Sequence, residues 1–225
     1  MKKSLHLFVL SLVTIFVSCV SGSCASAQQI RIIYTNDEHG WIDSSSHSGG
    51  AAALFDAVRV EREIDTAAAL LVLSGGDNWT GPAIATLTKG APVVEAFNEI
   101  GYTASAIGNH EFDFGIETMR RNFSGSRFPH LAANIRSRVD SSVPEFIKPY
   151  IIKEIKGIRF GIIGLTTVET PSVAMEANVG PFVFLPYETA LAEFVPKMKS
   201  EGAQVIIAIC HICSKDLRNG YIALA

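Results

Sequence analysis

Four short apolar segments of this 225-residue chain each run straight into a polar block, and that repeated juncture restricts the possible folds more than any other feature. Residues 30–34 (IRIIY) lead into TNDEHG, residues 69–73 (ALLVL) into SGGD, residues 103–107 (TASAI) into GNHEFDFG, and residues 203–210 (AQVIIAIC) into His211. Segments this short, β-branched and almost wholly apolar read as strands covered on both faces rather than as alternating surface strands. Helical patterns lie between them. One follows Gly49-Gly50 over residues 51–64, with Leu54, Phe55 and Val58 on one face; another starts at Pro92, carries Val93, Phe97 and Ile100 at i, i+4 and i+7, and stops at Gly101. The alternation is that of a βαβαβ unit.

Farther along, HLAAN (residues 130–134) is a strand candidate. PYIIKEIKGIRFGIIGLTT (residues 149–167) reads as two strands joined by a tight turn at Lys156-Gly157, a departure from purely parallel winding. A helix is expected over residues 187–200, kinked or shortened by Pro196.

A hydrophobic fraction of 48% against 18% charged residues excludes a disordered chain. The N-terminus has the three parts of a secretory leader: Lys2 and Lys3, an apolar run over residues 5–17 too short to span a bilayer comfortably, and Ala25-Ser26-Ala27 as cleavage signal. Residues 1–27 are therefore expected to be a signal peptide, and the protein to be exported, periplasmic or extracellular, without a stable membrane span; acylation at Cys19 fits these residues less well. Loss of Lys2 and Lys3 takes the net charge from −3 to −5. With no Lys/Arg run, such a chain has no footprint for polymeric nucleic acid.

The residues able to bind metal gather where the four strands end, the edge at which sites form in open α/β sheets. They are Asp37 and His39, two apart and therefore on one side if the chain is still extended; Asp77 behind Gly75-Gly76; Asn109 and His110 behind Gly108; and His211. Taken singly, an Asp-x-His is commonly a cap or turn, Gly-Gly-Asp commonly a turn, and a strand-edge histidine commonly a packed one. Taken together, in order behind apolar strands, this mixed oxygen and nitrogen set suits zinc, manganese or iron better than calcium or magnesium.

TNDEHG, SGGDNWTGP, AIGNHEFDFG and the strand ending at His211 resemble successive blocks of the calcineurin-like metallophosphoesterases, closest to the secreted 5'-nucleotidase and 2',3'-cyclic-nucleotide phosphodiesterase group. FPHLAANI and KPYIIKEIKGIRFGIIGLTTVETP are similar to the same group, so the resemblance covers nearly all of residues 30–213. It implies a four-layer α/β/β/α sandwich carrying two divalent ions, zinc, manganese or similar, at the strand ends. Position by position, Asp37 and His39 match ligands of the first ion, Asp77 the carboxylate bridging both, and Asn109 and His211 ligands of the second. His110 matches a histidine facing the substrate phosphate, and Asp113 its orienting partner. The implied activity is hydrolysis of a small phosphoester, a nucleotide first of all, by in-line attack of a metal-activated water, with a 2',3'-cyclic or sugar nucleotide as alternatives within the class.

The family's later GHxH block, which adds one histidine to each ion, and its C-terminal nucleoside-recognition domain have no counterpart in the 225 residues. Beyond the leader, the remaining histidines, His47 and His130, lie in no such motif. Residues 28–225 are thus expected to form the catalytic domain with an incomplete sheet, from a truncated or fragmentary product, the alternative being a specialised short protein that finds replacement ligands. The rival from another class is a non-catalytic remnant holding at most one ion weakly. Cys210 and Cys213 flank His211, as buried small residues, replacement ligands or a disulfide, while Trp41 and Trp79 suit either a pocket rim or the core.

Overall fold

The apolar runs form strands, and the strands sort into two main sheets. The computed structural model describes residues 13–17, 28–44 and 49–212. In chain order the elements are β1 (Val13–Val17), β2 (Gln28–Thr35), α1 (Gly50–Ile64), β3 (Ala69–Ser74), α2 (Ala83–Leu87), α3 (Ala91–Ile100), β4 (Ala104–Ala106), a 3-10 turn (His110–Phe112), α4 (Ile116–Gly125), β5 (His130–Leu131), β6 (Ile135–Ser137), β7 (Tyr150–Ile155), β8 (Ile158–Thr166), α5 (Thr170–Val173), α6 (Glu176–Val179), β9 (Phe182–Phe184), α7 (Tyr187–Ser200) and β10 (Val205–His211).

The first sheet has the order β1-β2-β3-β4-β5, with β2 to β5 parallel, and the second the order β10-β8-β7. Of the expected leader, residues 13–17 are described, as strand β1 antiparallel to β2. Its Cys19, Ala25, Ser26 and Ala27 lie outside the described residues. In the second sheet β10 runs parallel to β8, so that His211 stands beside Thr166, and β7 pairs antiparallel with β8 through the expected turn. Lys156 and Gly157 both have positive φ, 54° and 77°, as the type I′ geometry of a two-residue hairpin requires.

Apolar side chains on both faces of β3 and β8 produce the layering. Between the sheets, Ile30, Ala69, Leu71, Leu73, Ala104 and Leu131 meet Phe160, Ile162 and Ile209. On the far side of the first sheet, Ile33 and Val72 pack with Val58, Val93, Phe97 and Met119 of α1, α3 and α4. Beyond the second sheet, α7 places Ala190, Leu191, Phe194 and Met198 on Ile163 and Leu165. Helix, sheet, sheet and helix succeed one another, which is the α/β/β/α arrangement implied by the resemblance.

Two local expectations need correction. Pro196 does not interrupt α7, which runs unbroken through it. The carbonyl that loses its helical donor is that of Ala192, and Ala192 and Pro196 are both exposed, so water can serve it while the buried stripe holds the helix down. The inward face of α1 is Ala51, Leu54 and Val58 rather than one including Phe55, which is 40% exposed. At about 100° per residue, Phe55 lies roughly 65° from the mean direction of Ala51, Leu54 and Val58, towards the edge of that face.

The dry layer between the sheets sets the stability. Truncating fully buried Leu71 to alanine is expected to lower the free energy of unfolding by about 2–5 kcal/mol, read as a lower urea midpoint at unchanged slope.

Candidate metal centre

Where β2, β3 and β4 end, their loops stay hydrogen-bonded to one another beyond the sheet. The amides of Asp37, His39 and Gly40 donate to the carbonyls of Gly76, Asp77 and Asn78 at 3.0, 3.0 and 2.7 Å. Extended chain would carry Asp37 and His39 away from the edge. Instead Asp37, His39 and Asp77 all take left-handed backbone, with φ of 55°, 44° and 59°. The expectation that Asp37 and His39 share a side because the chain remains extended is therefore corrected. They do approach, His39 Nε2 lying 3.6 Å from Asp37 Oδ1, but by two successive left-handed turns.

Asp77 is the common member of two donor groups. Its carboxylate lies with His39 and His110 in one, and with Asp37 and His211 in the other, the donor atoms of each group falling within 4.8 Å of one another. Asp77 Oδ2 stands 3.0 Å from His211 Nε2, while Oδ1 accepts the His110 backbone amide at 2.8 Å. Asn109 closes the 3-10 turn at its N-terminal end and lines the same cavity as Asp37, His110 and His211. All five expected ligands, and His110 with them, thus stand together where β2, β3 and β4 of the first sheet and β10 of the second end. His110 is itself a member of one of the two donor groups.

Each of the three histidines has its Nδ1 on an acceptor: the Thr80 carbonyl for His39 at 3.2 Å, Asp113 Oδ2 for His110 at 2.7 Å, and the Gly75 carbonyl for His211 at 3.1 Å. Such partners fix the tautomer with hydrogen on Nδ1 and turn a bare Nε2 lone pair inwards, the form a cation takes up. The electrostatics point the same way. Burial opposes protonation of His211, yet the bond to Asp77 and its charge outweigh it and raise the imidazole to about 9. Asp37 is lowered chiefly by its bond to His39, and His39 is correspondingly raised. Carboxylates at this spacing draw protons onto imidazoles when no other cation is present, so the donor set fits a divalent ion by charge as well as by type.

The centre opens into a cavity of about 680 Å³. Thr167, Glu169 and Val173 also line it, as does Tyr34, whose hydroxyl donates to the Cys210 carbonyl at 3.3 Å. Burial raises that phenol to about 12. None of these was legible as part of the site, because they come from the second sheet or from a strand interior. Glu111 was also missed. It is fully buried behind Asp77, and its only signal was a charged residue inside a glycine-flanked block with no surface of its own.

The remaining sequence candidates fall elsewhere. Trp79 is core, edge-on to Phe123 and His130, and Trp41 is 52% exposed. Cys210 lines the cavity; Cys213 and His47 lie outside the described residues. His130 is no replacement ligand: it is stacked on Phe123 at 4.0 Å, with Nε2 on Ser126 Oγ.

No family model matches the chain. A 5'-nucleotidase of Vibrio cholerae is 33% identical over 225 residues, spanning 94% of this chain and 40% of its own length. The crystal structure of a 5'-nucleotidase precursor from Thermus thermophilus superposes with a TM-score of 0.72 at 28% identity, over 83% of this chain and 38% of that one. The chain belongs to the 5'-nucleotidase family of metallophosphoesterases. A calcineurin-like phosphoesterase from Bacillus subtilis, 24% identical, shares the fold with a TM-score of 0.71 over 80% of this chain and 61% of its own. The chain spans about two fifths of the length of the first 5'-nucleotidases it matches.

In this member of the 5'-nucleotidase family, His130 makes a pH dependence separable from the metal centre. Burial lowers its imidazole to about 3, against about 6.5 in the unfolded chain. Neutral His130 therefore contributes stability that is complete above pH 6.5 and is lost as pH falls towards 3, by up to about 1.4 kcal/mol per pH unit. His130→Gln is expected to flatten that part of the stability profile in urea unfolding between pH 4 and 7.

Proposed function

We propose that the chain is the catalytic domain of an exported phosphoester hydrolase acting on nucleotides, dependent on two divalent ions such as zinc or manganese. The observation that carries this is the sharing of Asp77 between two donor groups, a carboxylate placed to bridge a pair of cations. By the resemblance Asp37 and His39 would hold one ion with Asp77, and Asn109 and His211 the other, a division that differs from the observed donor groups, where Asp77 stands with Asp37 and His211 in one and with His39 and His110 in the other. Such a pair, when bound, supplies Lewis-acid stabilisation of the phosphoryl oxygens and lowers the pKa of a water that attacks phosphorus in line.

The chain's own residues account for the rest. Asn109 contributes an oxygen without adding negative charge that an incoming phosphate must face. His110, its Nδ1 held by Asp113, lines the cavity, and with a proton on Nε2 as well it can donate to an equatorial oxygen or pass that proton to the leaving alkoxide. Asp113 fixes the orientation of the ring. The cavity has the size of a small-molecule site and suits a nucleotide rather than a polymer. Among the described residues no helix is long and apolar enough to cross a membrane. Export rests on the leader-like residues 1–27.

With manganese or zinc supplied, hydrolysis of nucleoside 5'-monophosphates and of bis-p-nitrophenyl phosphate is expected, and Asp77→Ala should abolish it. His110→Ala should lower kcat by about 10²–10⁴-fold. Asp113→Asn should lower it by about 10–100-fold. Turnover by wild type no faster than by Asp77→Ala would defeat the proposal.

A further inference from the structure

Glu111 does not line the cavity and belongs to neither donor group of the metal centre, yet it is fully buried and both its carboxylate oxygens are engaged. Oε2 accepts the backbone N–H of Asp77 at 2.9 Å and of Gly108 at 2.6 Å, and Oε1 accepts that of Asn78 at 2.7 Å. The bond from the His110 amide to Asp77 Oδ1 runs back in the opposite direction. The loop after β3 and the loop after β4 are thus cross-tied by side chains from both. The sheet ladder does little of this, since β3 and β4 share only the pairs Leu73↔Ala104 and Ser74↔Ser105.

The approach of the two loops is close enough to exclude side chains. A Cβ on Gly76 would sit 2.6 Å from the Gly108 nitrogen, and one on Gly108 would sit 2.1 Å from Asp77 Oδ1. Asp77 itself is left-handed, a conformation unfavourable for a residue with a Cβ, and Glu111 binds the amides on both sides of its Cα, those of Asp77 and Asn78. From this geometry we infer that Glu111 is a positioning residue of the metal centre: an acceptor that holds Asp77 in its left-handed setting and fixes the Gly108-Asn109-His110 turn against it. The inference rests on the metal-centre reading above and adds the element that makes the shared carboxylate rigid.

The acceptor count makes it testable. A carboxylate accepts all three N–H groups, whereas a glutamine amide must point its own NH2 at one of them. In metal-free protein, Glu111→Gln is expected to speed backbone hydrogen exchange over residues 74–78 and 108–111 while the strands β3 and β8 keep wild-type protection. Titrated with manganese alone, the same variant should bind about 10–100-fold more weakly than wild type, with the KM of its residual activity at saturating metal little changed. Glu111→Asp, which keeps three-bond capacity on a shorter arm, should recover part of both losses, and it carries the same test should Glu111→Gln fail to fold. Wild-type metal affinity and loop exchange in these variants, or exchange raised evenly along the whole chain, would overturn the inference. Should wild type itself take up no manganese, the functional proposal fails, and the exchange comparison still decides whether Glu111 holds the loops.

Discussion

Among the described residues Asp77 alone belongs to both donor groups, and its reach depends on backbone that is unfavourable in isolation. A left-handed non-glycine residue persists only where its surroundings over-determine it. Here the surroundings are a carbonyl bound by the His39 amide, an amide bound by Glu111, and a side chain that accepts from the His110 amide. The centre is therefore built less from its donors than from the hydrogen bonds that hold three loops in register past the end of the sheet.

Those loops are held in turn by the layer between the sheets. Leu71, Leu73, Leu131, Phe160 and Ile162 are all fully buried there, so the strands that carry the loops cannot slide without opening the core. The second sheet reaches the centre through β10. Its parallel register with β8 sets His211 beside Thr166, and Thr166 is anchored in both directions: its hydroxyl donates to the Ile107 carbonyl at 2.6 Å and its amide to Asn134 Oδ1 at 2.9 Å. A hydrogen bond thus links the strand beside His211 to the residue just before Gly108, which couples the two sheets at the site itself. The buried polar chain Ser74, Asn78, Ser105 continues the same tie beneath the first two loops.

Charge gives the assembly its direction. Asp37 and Asp77 crowd one edge of an acidic chain, and the imidazoles facing them gain proton affinity as a result. A site that raises a histidine to about 9 carries an excess of negative charge, which suits a cation. On the proposed function, attraction of phosphate would come from bound ions and not from lysine or arginine, which accords with the absence of a basic run in the sequence.

Most of the framework was legible in the residues. Continuous apolar runs mean strands buried on two faces, Lys156-Gly157 means a tight hairpin, Pro92 and Gly101 bracket α3, and polar residues placed directly after strands must gather at one edge, because parallel strands end together. That much depends on local sterics and on periodicity, which a sequence carries by itself. What only the tertiary structure decided is the path of the chain over the last few residues: the left-handed turns that bring His39 back to Asp37, the survival of α7 through Pro196, the burial of His130 among aromatic rings, and the place of Glu111 beneath Asp77. Each of these depends on partners more than thirty residues away or on which side of a helix meets water. No local pattern encodes that, since the energy deciding it comes from contacts that exist only after the sheets have closed.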